Sequence, residues 1–201
     1  MKNYATVAFT EAVKTWQTKF GSRHAYAQME KRGQTEGLTP AEIEFVAERD
    51  SFYLASVGEN GFPYIQHRGG PKGFLKALDK DTLACFDFTG NKQYITVGNL
   101  TTHKNVSLIL VDYPQRARLK CYAEVEVRAL GADPETERRL QLGTYAYKPE
   151  RVMVFHIKAF DWNCSQHITP RYTEAEIEEA LKPYREYVDK LERELERLKN
   201  G

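Results

Sequence analysis

The sequence predicts a mainly β protein: an antiparallel barrel of six strands, flanked by helices and followed by a long C-terminal helix. Three observations carry that expectation. The stretch from Ser51 to Asn99 strings together the runs FYLASV, PYIQHRGGPKGF and TLACFDF. Between the first two lies Asn60-Gly61, a strong hairpin signal because both turn positions favour positive φ. Most strands are joined by hairpins, whereas parallel crossovers need a helix of a dozen or so residues, so the pairing is antiparallel. From Thr173 onward the chain switches to a heptad period.

The elements follow in order. Phe9, Ala12, Val13, Trp16 and Phe20 recur at helical spacing ahead of Gly21, which predicts an amphipathic helix over 10–20. A second helix is expected from Ala25 to Arg32, stopping at Gly33. Thr39-Pro40-Ala41-Glu42 makes a capping box with Pro at the first helical position, opening a short helix that carries Ile43, Phe45 and Val46. These helices, residues 1–50, pack over the barrel or reach across a dimer.

The barrel occupies 51–160. After the first three runs, Gly90-Asn91-Lys92-Gln93 opens a short helical pattern. Asn105 to Tyr113 is a continuous apolar run, short and rich in branched residues, so it reads as a buried strand. Pro114-Gln115-Arg116 turns the chain. Ala117 to Ala129 then alternates Leu119, Cys121, Ala123, Val125 and Val127 against charged neighbours, the pattern of a strand with one wet face. Pro134 to Leu142 is a short helix, and Val152 to Phe160 is the last strand.

Residues 161–201 form an interface segment and an amphipathic helix, within a single structural domain. Thr173 and Glu176 make a second capping box, and Ile177, Leu181, Tyr184, Val188, Leu191, Leu195 and Leu198 form the heptad seam. Glu186 with Lys190 and Asp189 with Arg193 are spaced to support the helix. Pro183 predicts a kink or restart near Lys182.

Composition narrows the function. The chain is 41% hydrophobic with a net charge of +1, so neither a nucleic-acid surface nor a polybasic membrane patch is expected. No apolar run approaches the roughly 18 residues of a membrane helix, and no signal pattern opens the chain. A soluble, cytoplasmic protein follows as the expectation. Cys85, Cys121 and Cys164 are an odd, widely spaced set, which suits reduced thiols, the first two as small core residues. Asp161, Cys164 and His167 fall short of the four ligands of a structural zinc, so no metal site is predicted.

The second strand ends in His67-Arg68-Gly69-Gly70-Pro71-Lys72-Gly73, two cations in a loop rich in glycine. Such a loop lets backbone N–H groups approach a ligand while Arg and Lys supply charge for a phosphate or an electron-rich ring. It reads also as an ordinary glycine-rich turn with solvated cations. It carries neither the P-loop pattern nor a dinucleotide fingerprint.

Taken together, SFYLASVGENGFPYIQHRGGPKGFLKALD, FDFTGNKQYITVGNL, LILVDYPQRARLK and AFDWNCSQHITPRYT resemble the pyridoxamine 5'-phosphate oxidase-like family of FMN-binding split barrels, over roughly residues 40–175. The resemblance implies a split barrel, an FMN cofactor and a homodimer with the flavin at the subunit interface. It implies that Arg68 and Lys92 meet the phosphate, and that His67, Gly69, Gly70 and Lys72 line the ribityl chain and ring. Asn91 and Gln93 would add amide donors, Arg118 would come from the facing subunit, and Trp162, Gln166 and His167 would touch the ring or ribityl of the partner's flavin. Where the oxidases proper carry Arg-x-x-Leu-Leu-Lys and Ser-Arg-Lys, this chain reads differently, so the resemblance specifies fold and cofactor rather than substrate. The expected activity is flavin-mediated hydride or electron transfer on a small molecule, with NAD(P)H as a candidate donor and no catalytic residue assigned. The alternative is a flavin-binding or sensing protein without turnover.

Overall fold

The computed structural model describes residues 1–31, 36–163 and 165–200. Contacts divide the chain into two compact units: Met1–Asp112 with Ala117–Ser165, and Tyr113–Arg116 with the chain from Gln166 onward. The first unit opens with helices α1 (Tyr4–Ala8), α2 (Glu11–Lys19), α3 (Arg23–Glu30) and α4 (Pro40–Ala47). Strands β1 (Ser51–Val57), β2 (Pro63–Gly69), β3 (Lys76–Asp79) and β4 (Thr82–Phe88) lead to helix α5 (Ile95–Thr102). Strands β5 (Asn105–Asp112) and β6 (Ala117–Ala129), helix α6 (Pro134–Leu140) and strand β7 (Pro149–Asn163) complete it.

All neighbouring strands are antiparallel, in one seven-stranded sheet of order β2-β1-β5-β6-β7-β4-β3. The count exceeds the expected six by β3, a four-residue edge strand, too short for periodicity to reveal. The last strand is also longer than expected, because Asp161 and Trp162 stay paired with Lys120 and Leu119 of β6. Cys164 and the expected helix stop at Arg32-Gly33 lie outside the described residues.

The sheet is rolled. Phe52 on β1 meets Phe155 on β7 edge to face, ring centroids 6.0 Å apart, although β5 and β6 lie between those strands. In a flat sheet three strand spacings would separate them by about 14 Å. The inward residues of β1, β4, β5, β6 and β7, among them Leu54, Leu83, Leu108, Cys121 and Met153, therefore share one core. Burial pushes the thiols of Cys85 and Cys121 up to about 12 and makes them small core residues. Strand β4 is buried on both faces: Ala84 and Phe86 pack outward with Val152, Val154 and Leu140 of α6. That double burial explains its unbroken apolar run.

Local chemistry sets the connections. In the β1–β2 hairpin only Gly61 takes positive φ (+80°), and Asn60 acts instead through its side chain, accepting a hydrogen bond from the Phe62 amide at 3.1 Å. The loop spans Gly58 to Phe62 and is longer than the two-residue turn the dipeptide suggests. The Thr39–Glu42 capping box forms as expected, and Trp162 Nε1 donates to the second carboxylate oxygen of Glu42 at 2.6 Å. With the Phe45 ring edge-on to Trp162 at 4.8 Å, this ties α4 to the end of β7.

The second unit holds α7 (Glu174–Lys199), with its Thr173–Glu176 capping box in place. The helix runs unbroken past Pro183, so the expected restart does not interrupt it. Arg193 Nε donates to the Asp189 carbonyl at 3.0 Å. The Arg171 guanidinium lies 4.9 Å over the Tyr113 ring, joining the turn at 113–116 to the segment before α7. No described helix is long and apolar enough to cross a membrane.

Two outcomes test this packing. Phe155→Ala should lower unfolding free energy by roughly 3–5 kcal/mol in urea titration, because the rolled core cannot close over the missing ring. Burial pushes the Glu42 carboxyl up, but hydrogen bonds from the Thr39 hydroxyl, the Trp162 indole and the Thr39 amide outweigh it and hold the group below the usual carboxylate value. A carboxyl lowered in the folded state adds stability that is full above its unfolded pKa, about 4.3, and fades as pH falls through the folded value. Glu42→Gln should therefore flatten the acid limb of the stability profile below about pH 4, as read by urea midpoints across pH.

Candidate functional site

The roll of the sheet brings the inner face of β2 against β4. Along β2, Tyr64, Gln66 and Arg68 alternate inward while Ile65 and His67 face out. Arg68 therefore reaches Asp87 near the end of β4, Nη1 to Oδ1 at 2.5 Å, while its Nη2 donates to Gln66 Oε1 at 3.1 Å. Asp87 stands opposite Arg151 in the β4–β7 register, and Arg151 Nη1 approaches its other oxygen at 3.4 Å. Arg151 also pairs with Glu150 and lays its guanidinium 5.1 Å over the ring of Tyr94. The side chains of Arg68 and Asp87 are 10% and 12% exposed, so each charge requires the other: an unpaired ion at this depth would cost several kcal/mol.

This buried network forms the floor of a cleft of about 220 Å³. Its walls come from Tyr64 and Gln66 of β2, Phe88 of β4, and the loop Gly90–Tyr94 leading into α5. Lys92 and Tyr94 both hold left-handed backbone, φ +60° and +53°, at a steric cost for residues that carry a Cβ. Tyr94 is the N-cap of α5 and offers it no side-chain hydrogen bond. The first-turn amides of α5, at Ile95, Thr96 and Val97, have no intrahelical partner and these residues line the cleft. The Thr96 hydroxyl donates to Gln66 Oε1 at 2.8 Å, which locks α5 to β2. Asn91 Oδ1 accepts from the Gln93 amide at 3.1 Å and shapes the loop.

A smaller cleft of about 180 Å³ adjoins it and shares Gln66, Arg68, Asp87, Phe88 and Gly90. Two buried polar atoms among its lining residues lack a hydrogen-bond partner: Arg68 Nε and Thr89 Oγ1. Asp87 and Gln66 each take one N–H from the guanidinium fork, and the Nε–H is left without an acceptor and available to a ligand.

Of the residues singled out from the sequence, Arg68, Asn91, Lys92 and Gln93 meet in the larger cleft, and His67 and Gly69 border the smaller one. His67 also pairs across the strand with Tyr53, rings 5.4 Å apart. Gly70 and Lys72 line neither. The Gly70 and Gly73 amides donate to Asp50 and Arg49 carbonyls, at 2.9 and 3.1 Å, and Lys72 reaches Glu48 at 3.2 Å. A side chain at Gly70 would run into the Phe74 ring at 2.7 Å, so this glycine serves packing. Arg118 starts β6 opposite Val111, and Trp162 is engaged with Glu42; neither lines the clefts. Gln166 and His167 belong to the second unit. Sequence reasoning passed over Gln66, Asp87, Tyr94, Thr96, Glu150 and Arg151. Asp87 did leave a signal: a lone charge inside the apolar run TLACFDF must find a partner.

The arrangement offers cations, helix-start amides and flat aromatic walls around a water-accessible opening, which suits an anionic, partly planar ligand. Comparison with known proteins agrees in fold. The chain is similar to HupZ of Group A Streptococcus in two solved structures. One is of a histidine-to-alanine variant: TM-score 0.51 and 16% identity, covering 63% of this chain and 99% of that chain. The other is of HupZ without that substitution: 0.50 and 16%, covering 67% and 100%. It is also similar to an FMN-binding protein of Syntrophomonas wolfei, at TM-score 0.47 and 18% identity, over 73% of this chain and 97% of that chain. No functionally curated protein matches it. The profile of the family described as pyridoxamine 5'-phosphate oxidase matches residues 38–159, more than half of the chain and both clefts included. The chain therefore belongs to the pyridoxamine 5'-phosphate oxidase family.

Proposed function

We propose that the protein binds FMN in the cleft between β2, β4 and the start of α5, and acts as a flavin-dependent oxidoreductase on a small molecule. The observation that carries this reading is the meeting of Arg68 and Lys92 in one cleft with the first-turn amides of α5. A phosphate is well served by such a set: Lys92 as a point charge, Ile95 and Thr96 amides as fixed donors aligned with the helix dipole, and Arg68 Nε–H from below. The orphaned Arg68 Nε fits this ligand, since a buried donor without a partner is stabilised by an acceptor arriving from outside. Asn91 and Gln93 add amide groups at the rim. When bound, FMN supplies the acceptor for a hydride or electron pair; the protein orients it and limits water.

One chain's cleft is below the roughly 300–1,000 Å³ usual for cofactor-sized ligands. That shortfall supports a site completed by a second copy, with the flavin at a homodimer interface. The outer face of β1, β2 and β5 is a fitting surface: Tyr53, Val57 and Ile65 are exposed there, with Ile65 at 67%. Such contiguous exposed apolar groups mark an interaction face. A specific observation also favours binding without turnover: both carboxylates that line the cleft, Asp87 and Glu150, are already tied to arginines. Reduction by NADPH under anaerobic conditions separates the oxidoreductase from a flavin carrier or sensor.

The purified protein should be yellow, with an absorption band at about 450 nm and about one flavin per chain. A colourless protein that ignores added FMN would sink the reading. Lys92→Gly keeps the left-handed backbone but removes the charge, and should weaken FMN binding roughly 10- to 100-fold, as fluorescence quenching would measure. Ile65→Arg should give a monomer in light scattering and lose the flavin with it. Asp87→Asn leaves the buried Arg68 and Arg151 without their counter-charge and should lower unfolding free energy by about 3–5 kcal/mol in urea titration.

A further inference from the structure

Helix α7 carries no buried residue in its 26-residue length, yet its apolar groups keep a strict heptad order. Leu181, Val188 and Leu195 occupy the first core position of each heptad, and Tyr184, Leu191 and Leu198 the second. All six are 42–81% exposed. Pro183 falls on the side away from this seam, so it leaves the apolar stripe intact.

The charges that flank the seam select an occupant. On one side stand Glu178, Arg185, Glu192 and Lys199; on the other Ala180, Tyr187 and Glu194. In a coiled coil these flanks face each other across the seam and set partner and direction. Consider a second copy laid antiparallel, with Leu181 level with Leu198 of the other helix, Tyr184 with Leu195, and Val188 with Leu191. Glu178 then meets Lys199 of the second copy and Arg185 meets Glu192, each pair made twice by the two-fold axis, with no like charges opposed. A parallel pair gains only Glu194 against Lys199, made twice, and sets Arg185 against Ala180 and Glu192 against Tyr187. Opposite charges therefore favour the antiparallel arrangement two to one.

We propose that α7 docks on α7 of a second copy of this chain as a short antiparallel coiled coil in that register. Three heptads are marginal in water on their own. Between chains already joined through the sheet face, the contact becomes intramolecular and gains an effective concentration in the millimolar range. The inference draws strength from that dimer reading but does not depend on the flavin.

Cysteine cross-linking of the full chain tests it. Cys164→Ser supplies the background, and buried Cys85 and Cys121 stay silent. Leu181→Cys and Leu198→Cys chains are co-expressed and oxidised mildly. The antiparallel register predicts a disulfide between one Leu181→Cys and one Leu198→Cys chain. Leu198→Cys expressed alone should give no cross-link, because those positions lie about 25 Å apart along the pair. Arg185→Glu should cut the heterodimer yield several-fold and Glu192→Arg added to it should restore it. Cross-linking by Leu198→Cys alone, or by no combination while circular dichroism shows the helix intact, would overturn the proposal. Flavin content, read by absorbance on the same samples, reports separately on the cofactor reading.

Discussion

The carboxylate of Asp87 is the point on which the architecture turns. Its two oxygens hold Arg68 from β2 and Arg151 from β7, one across the rolled interior and one along the cross-strand register. In sheet order β2 and β4 are separated by four strands, and it is this ion pair that fastens one margin of the sheet to the strand beside the other. Buried ion pairs contribute little net stability compared with apolar packing of the same volume, but breaking one side of them is expensive. The Phe52–Phe155 contact and the shared core supply the folding energy; Asp87 sets how the curled sheet closes at the cleft.

That constraint also explains the chemistry of the opening. Because Asp87 and Gln66 engage the guanidinium fork and Asp87 offsets its charge, positive character at the rim passes to Lys92 and the start of α5. Thr96 completes the frame by bonding the same Gln66 oxygen. Three elements distant in sequence are thereby fixed against one another around the opening.

Local signals in the sequence read true where the determining residues are neighbours. Both capping boxes, at Thr39–Glu42 and Thr173–Glu176, form as their spacing implies, and the alternation along β6 gives its dry face from Leu119 to Val125, while Val127, expected on the same face, is exposed. The charged candidates Arg68 and Lys92 were legible through the family resemblance, although Arg68 lies within β2 rather than in a loop and is held by Asp87. What stayed hidden needed the third dimension. Asp87 gains its partner only after the sheet curls, and the left-handed turns at Lys92 and Tyr94 are imposed by context, since neither residue type prefers them. The amides of Gly70 and Gly73, read as free to cradle an anion, go to the α4–β1 connection because Phe74 pulls the loop inward. Strand β3 was missed because four residues paired to a single neighbour leave no period to detect.

Strand β2 is an edge strand, with one row of backbone donors and acceptors unmatched and an apolar residue, Ile65, on its outer side. Edges of this kind are templates for pairing with foreign chains. Here the inner face of the strand is held to Asp87 of β4 through Arg68, and its outer, Ile65-bearing face is the one proposed to meet a second copy. In that arrangement the contact that completes the cleft also shields the apolar side of an unpaired edge, and separating the copies would leave a sticky ribbon in solution.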